Sequence, residues 1–216
     1  MPAARRPYSK AERLADGVIH VIGVTFGLAA SVALAALSLP RGDLLLLLSL
    51  GLYAMGMLSM LGCSALYNMT HDETRKQIFR RLDHAAIFVM IAGTYTPFVL
   101  IAIGGAWGLG LLAFVWSVAA AGVFLKLCYP RRFERLSVAV YLLLGWTILV
   151  AVEPFVTAVS TAGIVLILTG GLLYSLGVIF YLWKRLPYHN AIWHAFVLAA
   201  VVCHFSAVVG DIAIAA

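Results

Sequence analysis

Seven long apolar stretches constrain the fold of this chain more than any other feature of its sequence. Each is long enough to cross the hydrocarbon core of a bilayer as a helix, which needs about 20 apolar residues. The connections between them are short and contain no soluble insertion. The sequence therefore predicts an all-α, polytopic membrane protein in which residues 1–216 form a single seven-helix domain. The predicted transmembrane spans cover about residues 15–38, 44–67, 84–104, 106–127, 136–156, 159–183 and 191–215.

The composition supports a membrane environment and excludes an ordinary soluble domain. Of the residues, 63% are hydrophobic and 11% are charged, whereas soluble domains average about 45–50% apolar and about 25% charged residues. The net charge of +6 would indicate nucleic-acid binding in a soluble protein, but in a membrane protein it reflects topology. We therefore expect membrane lipids as partners and no nucleic acid.

The basic residues predict the orientation of the chain in the membrane. Of the 15 lysines and arginines, only Arg41 falls on the opposite side from the others. Because positively charged loops stay in the cytoplasm, the amino terminus is predicted to be cytoplasmic and the carboxyl terminus to lie outside. The predicted location is the plasma (inner) membrane.

Polar residues gather at the predicted cytoplasmic end of four spans. Odd-numbered spans begin at this end and even-numbered spans finish there, so residues far apart in sequence share one depth. Because ionisable groups are costly inside a membrane and tend to face the bundle interior, each is a candidate for a functional site. The set comprises Asp16, His20, Ser64, Asn68, His71, Asp83, His84, His189, Asn190 and His194.

Span one carries Glu12, Asp16 and His20 at every fourth position, so the three share one helical face. Glu12 is expected to be a solvated acid in the first turn of the helix. Asp16 has either the same role or a buried one. His20 lies deeper and is expected to be buried, either as a metal ligand or as a histidine bonded to a neighbouring helix.

Spans two, three and seven offer the other main candidates. Ser64 and Asn68 are four residues apart and share a face, and Asn190 and His194 have the same spacing. Asp83 is interpreted as a carboxylate that faces the bundle and orients a water or a histidine. The alternative is a helix-terminal acid that interacts with the helix dipole.

Three motifs carry a family resemblance over essentially the whole chain. They are ERLADGVIHVIG near the start, SALYN followed by RRLDHAAIFVMIAGTYTPF in the middle, and HNAIWHAFVLAAVVCHF near the end. In this order and with seven spans, they resemble the hemolysin III family of bacterial membrane proteins. That family belongs to a seven-span superfamily with the adiponectin and progestin receptors and the alkaline ceramidases.

The resemblance implies a zinc site on the cytoplasmic side, built from three histidines. It also implies an aspartate that positions the zinc-bound water and a serine four residues before the first histidine. Carried over by motif, the serine is Ser64 and the aspartate is Asp83. The three ligand positions are Asn68, Asn190 and His194, so only one of them is a histidine in this chain.

The two asparagines change what this site is expected to hold. An asparagine offers zinc only a neutral carbonyl oxygen, which suits harder cations better. One alternative is a rearranged zinc site completed by His20, His71 or Asp83. The preferred alternative is a metal-free cluster whose members bond one another, with His71 solvated in the loop. The members of this cluster are Asn68, Asn190, Asp83 and His194.

Four functions are compatible with these features. The preferred one is a hemolysin III-type integral membrane protein with a lipid-related or membrane-homeostasis role. The runner-up is a zinc-dependent hydrolase of lipid amides, in which zinc would activate the attacking water. A pore-forming cytolysin, the activity that named the family, gains no support because no amphipathic, conditionally soluble segment is visible. The fourth is a structural membrane protein with a relic site.

Overall fold

The computed structural model describes residues 9–130 and 132–215. Seven helical units within these ranges are long and apolar enough to cross a membrane. The described residues are helical apart from short turns, and no strand occurs among them. The prediction of an all-α fold with seven membrane-spanning helices is confirmed, and the orientation of the termini stays a prediction.

The seven spanning units are built from eight α-helices and four short helical segments of different pitch. The α-helices are α1 (Lys10–Ser38), α2 (Leu44–Met69), α3 (Glu73–Pro97), α4 (Gly105–Cys128), α5 (Glu134–Gly145), α6 (Val152–Ala158), α7 (Thr161–Leu182) and α8 (His189–Val208). The 3₁₀ segments are Leu39–Arg41 and Thr147–Ala151, and the π-helical segments are Phe98–Ile103 and Val209–Ala213. The fifth unit, Glu134–Ala158, combines α5, a 3₁₀ segment and α6.

Helix α3 begins at Glu73, well before the apolar stretch predicted to start at residue 84. The Asp72 side chain caps it by accepting a hydrogen bond from the Arg75 N–H at 2.7 Å. Hydropathy detects only the apolar part of a helix, so the charged first turns were not predicted to be helical. Because α3 begins at Glu73, Asp83 lies inside a continuous helix and not at its amino end.

The fifth unit is broken near its middle, where the sequence predicted one continuous span. Helix α5 ends at Gly145, and the backbone continues as a 3₁₀ segment from Thr147. The Tyr95 hydroxyl, on α3, donates to the Gly145 carbonyl at 2.8 Å and accepts from the Ile148 N–H at 2.8 Å. These two bonds satisfy backbone groups that the break would otherwise leave unpaired within the membrane.

The GTYTPF motif (residues 93–98) ends α3 at Pro97, and the backbone continues as the π-helical segment from Phe98. Thr94 and Thr96 each donate to the carbonyl four residues earlier, both at 2.8 Å. The indole N–H of Trp116, on α4, donates to the Thr96 hydroxyl at 3.0 Å. The motif is therefore structural, and Thr94 and Tyr95 also line the cavity described below.

Helices α2 and α3 cross at two glycines, which bring the two backbones close together. A Cβ atom placed on Gly56 would lie 2.9 Å from the Val89 carbonyl oxygen. A Cβ atom placed on Gly93 would lie 2.9 Å from the Leu52 carbonyl oxygen. Small residues at such crossings are typical of helix packing in membranes, and this one sets the position of Ser64 and Asn68 relative to Asp83.

The spanning helices pack mainly with their neighbours in sequence, and α1 also packs against α8. The pair α2 and α3 and the pair α7 and α8 make the most extensive contacts, whereas α5 touches its neighbours only sparsely. The contact between α1 and α8 joins the two ends of the chain, so the bundle closes on itself and leaves space between its helices.

Candidate functional site

A cavity of about 420 Å³ lies among the helices at the end of the bundle where α1 and α8 begin. We call this the basic end, because every described lysine and arginine except Arg41 lies there. Polar side chains line the cavity near the basic end, and apolar side chains line it one or two turns further along the same helices. The polar group includes His20, Ser64, Asn68, Asp83, His84, Asn190 and His194, and the apolar group includes Met60, Leu61, Met90, Ile91, Val197 and Leu198. Further along still, the lining is polar again and includes Thr94, Tyr174, Ser175 and His204.

Asp16, His20 and His194 form a buried cluster between α1 and α8. The Nδ1 atom of His194 lies 2.6 Å from Oδ1 of Asp16, and Nε2 of His20 lies 3.7 Å from Oδ2. An ionised carboxylate only accepts hydrogen bonds, so the hydrogen shared at 2.6 Å belongs to the imidazole. The two imidazole centroids are 4.4 Å apart, and each ring presents a nitrogen to the same carboxylate.

Glu12 holds α1 and α8 together one turn before this cluster. Its side chain is 3% exposed, so the expectation of a solvated acid was wrong. Its carboxylate accepts from the backbone N–H of Ser9 at 2.8 Å, and the Ser9 hydroxyl accepts from the Glu12 N–H, which makes a capping box. The other carboxylate oxygen accepts from the Tyr188 N–H at 2.9 Å. Glu12 therefore caps α1 and binds the residue that precedes α8.

Ser64, Asn68 and Asp83 line the wall of the cavity formed by α2 and α3. The Asn68 amide donates to the Ser64 carbonyl at 2.9 Å and lies 3.5 Å from the Ser64 hydroxyl oxygen. Oδ2 of Asp83 lies 3.2 Å from Nδ1 of His84. The Tyr141 hydroxyl, on α5, donates to the His84 carbonyl at 2.7 Å and so ties the fifth unit to this wall.

The structure brings most of the predicted site residues to one cavity. Ser64, Asn68, Asp83, Asn190 and His194 all line it, and so does His20, one of the residues that could complete a rearranged zinc site. His71, which could also complete such a site, lies exposed in the loop between α2 and α3 and does not line the cavity.

The residues at the three ligand positions implied by the family do not fit zinc. Asn68 and Asn190 can offer only amide oxygens, and the Asn68 amide nitrogen is bonded to the Ser64 carbonyl of its own helix. Zinc in proteins is held by imidazole nitrogen, thiolate or carboxylate. His194 supplies the one suitable donor at these positions, and its Nδ1 is bonded to Asp16. No chemistry is therefore assigned to zinc at these positions.

Asp16 is the central residue of the buried cluster, and of the two roles that the sequence left open for it, the buried one is correct. The sequence did indicate a shared helical face, because Glu12, Asp16 and His20 recur every fourth residue. In the structure all three are buried. The sequence could not show that His194 lies opposite, since that contact joins residues 178 positions apart.

Charged side chains surround the outer part of the cavity. Arg80 on α3 forms an ion pair with Glu134 on α5, and both line the cavity. The Lys184 ammonium lies 4.0 Å from the centroid of the Tyr181 ring, and these two residues also line it. The cavity mouth therefore presents two basic groups and one acidic group.

Comparison with known proteins identifies relatives over most of the chain. A family model described as Haemolysin-III related matches residues 8–205. The Hemolysin-3 homolog of Bacillus subtilis (strain 168) is 42% identical over 195 residues, which cover 90% of this chain and 91% of that protein. Hemolysin-3 of Bacillus cereus is 37% identical over 194 residues, with 90% and 89% covered. The Monocyte to macrophage differentiation factor of Homo sapiens is 27% identical over 163 residues, with 73% and 67% covered.

Proposed function

This chain belongs to the Haemolysin-III related family and is an integral, multi-pass membrane protein, and from that premise we propose that it binds a membrane lipid in a lipid-related or membrane-homeostasis role. The proposed binding site is the cavity at the basic end, which is the predicted cytoplasmic end. The observation that supports this proposal is that the cavity lining is polar near the basic end and that an apolar stretch follows it one or two turns further along.

An amphiphile matches this arrangement. Its headgroup would contact the polar side chains and its chain would lie against Met60, Ile91 and Leu198. The volume of about 420 Å³ lies within the range of about 300–1,000 Å³ that is typical of small-molecule sites. The cavity can therefore hold a headgroup with part of one acyl chain.

The polar part of the cavity would determine which lipid binds. A lipid chain that moves from the bilayer into this cavity passes from one apolar environment to another, so it gains little hydrophobic free energy. Hydrogen bonds and ion pairs to the headgroup therefore supply most of the discrimination. Ser64, Asn190 and the charged groups at the mouth provide donors and acceptors for such contacts.

Native mass spectrometry of the purified protein tests this proposal. We expect a lipid to remain bound to the wild-type chain, and Val178→Trp to remove it because this side chain lines the cavity on α7. The matched control is Leu172→Trp on the same helix, which is 54% exposed on the outer surface and should leave the lipid bound. Equal lipid occupancy in the two variants would contradict binding in the cavity.

Hydrolysis of a lipid amide is the second candidate, and the position of Asp83 favours it. This carboxylate lines the cavity beside His84, so it can accept a proton from an attacking water next to a bound headgroup. Nδ1 of His84 lies 3.2 Å from this carboxylate. Ser64 lines the same wall and can donate a hydrogen bond to the substrate.

Release of free fatty acid from lipid amides by the reconstituted protein tests this second candidate. We expect Asp83→Ala to reduce the rate at least about 100-fold if Asp83 acts as a general base. His71→Ala is the control, because His71 is exposed and lies outside the cavity. Lipid binding without any fatty acid release from the wild-type protein would leave binding as the function.

A further inference from the structure

We propose that Asp16, His20 and His194 bind a divalent first-row transition-metal ion on the wall of the cavity. This ligand set differs from the one that the family resemblance implies, and it shares only His194 with it. The metal site does not depend on the lipid ligand proposed above.

The three side chains lie close enough together to share one ion. One ligand atom from each residue can be chosen so that all three lie within 4.8 Å of one another. Ligands at about 2.0–2.2 Å from a tetrahedral zinc ion lie roughly 3.4 Å apart. Asp16 is 3% exposed and His20 is 6% exposed, so the cluster lies inside the bundle and is not an acidic surface patch.

His20 provides an independent indication that a partner belongs between these groups. Its Nε2 atom is buried and has no hydrogen-bond partner within the described part of the chain. Its nearest charged neighbour, Oδ2 of Asp16 at 3.7 Å, is too distant for a hydrogen bond. Buried polar atoms in folded proteins are nearly always satisfied, and an ion held with Asp16 would satisfy this one.

The donor types suit a transition metal better than the residues at the family's ligand positions do. Two imidazoles and one carboxylate form the donor set of several catalytic zinc sites, and they also suit other first-row divalent ions. The Asp16 carboxylate supplies one negative charge to offset the ion, whereas Asn68 and Asn190 supply none. Because His20 and His194 line the cavity, the open coordination position would face the space where a water or headgroup can bind.

Only a small movement converts the hydrogen-bonded cluster into a metal site. His194 Nδ1 and Asp16 Oδ1 would separate from 2.6 Å to roughly 3.4 Å. The hydrogen that His194 carries at Nδ1 would then be carried at Nε2. The contacts of Glu12 with Ser9 and Tyr188 hold α1 beside α8 one turn away, so the ligands are already positioned before the ion binds.

The test is metal binding by the full chain purified in detergent. We expect the chelated and desalted wild-type protein to bind one Zn²⁺ per chain, and Co²⁺ to produce the visible absorption of a tetrahedral site. His20→Gln should weaken Zn²⁺ binding at least about 100-fold and abolish the Co²⁺ absorption. His20 Nε2 makes no hydrogen bond in the structure, so this variant is expected to fold, and a monodisperse elution profile confirms that it does.

Three matched variants make the test specific for this ligand set. His84→Ala removes a histidine that lines the same cavity, and Asn68→Ala and Asn190→Ala remove the family's ligand positions. We expect all three to bind Zn²⁺ within about threefold of the wild-type affinity. Failure of the wild-type protein to bind stoichiometric Zn²⁺ would overturn the proposal. Binding that survives His20→Gln, or that is lost in Asn68→Ala or Asn190→Ala, would overturn it as well.

Discussion

Replacing His194 by alanine is expected to lower the free energy of unfolding of the metal-free protein by about 3–5 kcal/mol, as when one partner of a buried ion pair is removed. The substitution leaves the Asp16 carboxylate, which is 3% exposed, without its hydrogen bond from His194 Nδ1. Asp16→Ala should lower the free energy of unfolding by less, about 1–3 kcal/mol, because the imidazoles of His20 and His194 can stay neutral. Unfolding in mixed micelles with a chelator present measures both effects.

The double variant tests why His194→Ala is expected to lower stability more than Asp16→Ala. If His194→Ala lowers stability because the buried Asp16 carboxylate loses its hydrogen bond, then the double variant Asp16→Ala/His194→Ala should be more stable than His194→Ala alone. His71→Ala is the control, since this exposed histidine should change the free energy of unfolding by no more than about 0.5 kcal/mol. Additive losses in the double variant would show that the two side chains contribute independently.

Gly56→Ala is the second substitution expected to have a large effect. The new Cβ atom would lie 2.9 Å from the Val89 carbonyl oxygen and 3.1 Å from Met90 Cα, and neither backbone atom can move away alone. We expect a loss of about 1–3 kcal/mol from overpacking, and a similar loss in Gly93→Ala for the same reason. Because α2 and α3 would be forced apart, the lipid occupancy of the cavity should also fall.

Gly62→Ala is the matched control for this pair, on the same helix as Gly56. Nothing lies within 4 Å of the Cβ position at Gly62, so alanine can gain up to about 1 kcal/mol of helix stability there. If Gly56→Ala lowers the free energy of unfolding and Gly62→Ala raises it, the loss in Gly56→Ala is caused by the helix crossing. Equal effects would show that the close approach of α2 and α3 does not limit stability.

The fold was predictable because a bilayer imposes one simple requirement on every spanning segment. Hydropathy located all seven units, since each contains a long apolar stretch. It could not reveal the break in the fifth unit, because the hydroxyl that satisfies the broken backbone belongs to Tyr95 on another helix. It also missed the charged start of α3, whose helical state depends on the cap at Asp72 and not on apolar content.

The place of the site was predictable, but its internal contacts were not. Topology puts the first turns of α1 and α8 and the last turns of α2 at one depth, which is why Ser64, Asn190 and His194 line one cavity. Which of these groups touch depends on how each helix is rotated about its axis. The burial of Glu12 illustrates this limit, because its partner is a backbone N–H at Tyr188, far away in sequence.

The contact between the first and last helices also imposes an order on biosynthesis. Asp16 enters the membrane with α1, but His194 is synthesised 178 residues later. At about 5–20 residues per second, that interval is roughly 10–35 s. During this time five further spanning units are made while the Asp16 carboxylate still lacks its His194 partner. The final helix therefore completes the site as it inserts, and in a chain that stops after α7 the Asp16 carboxylate would lack its hydrogen bond from His194.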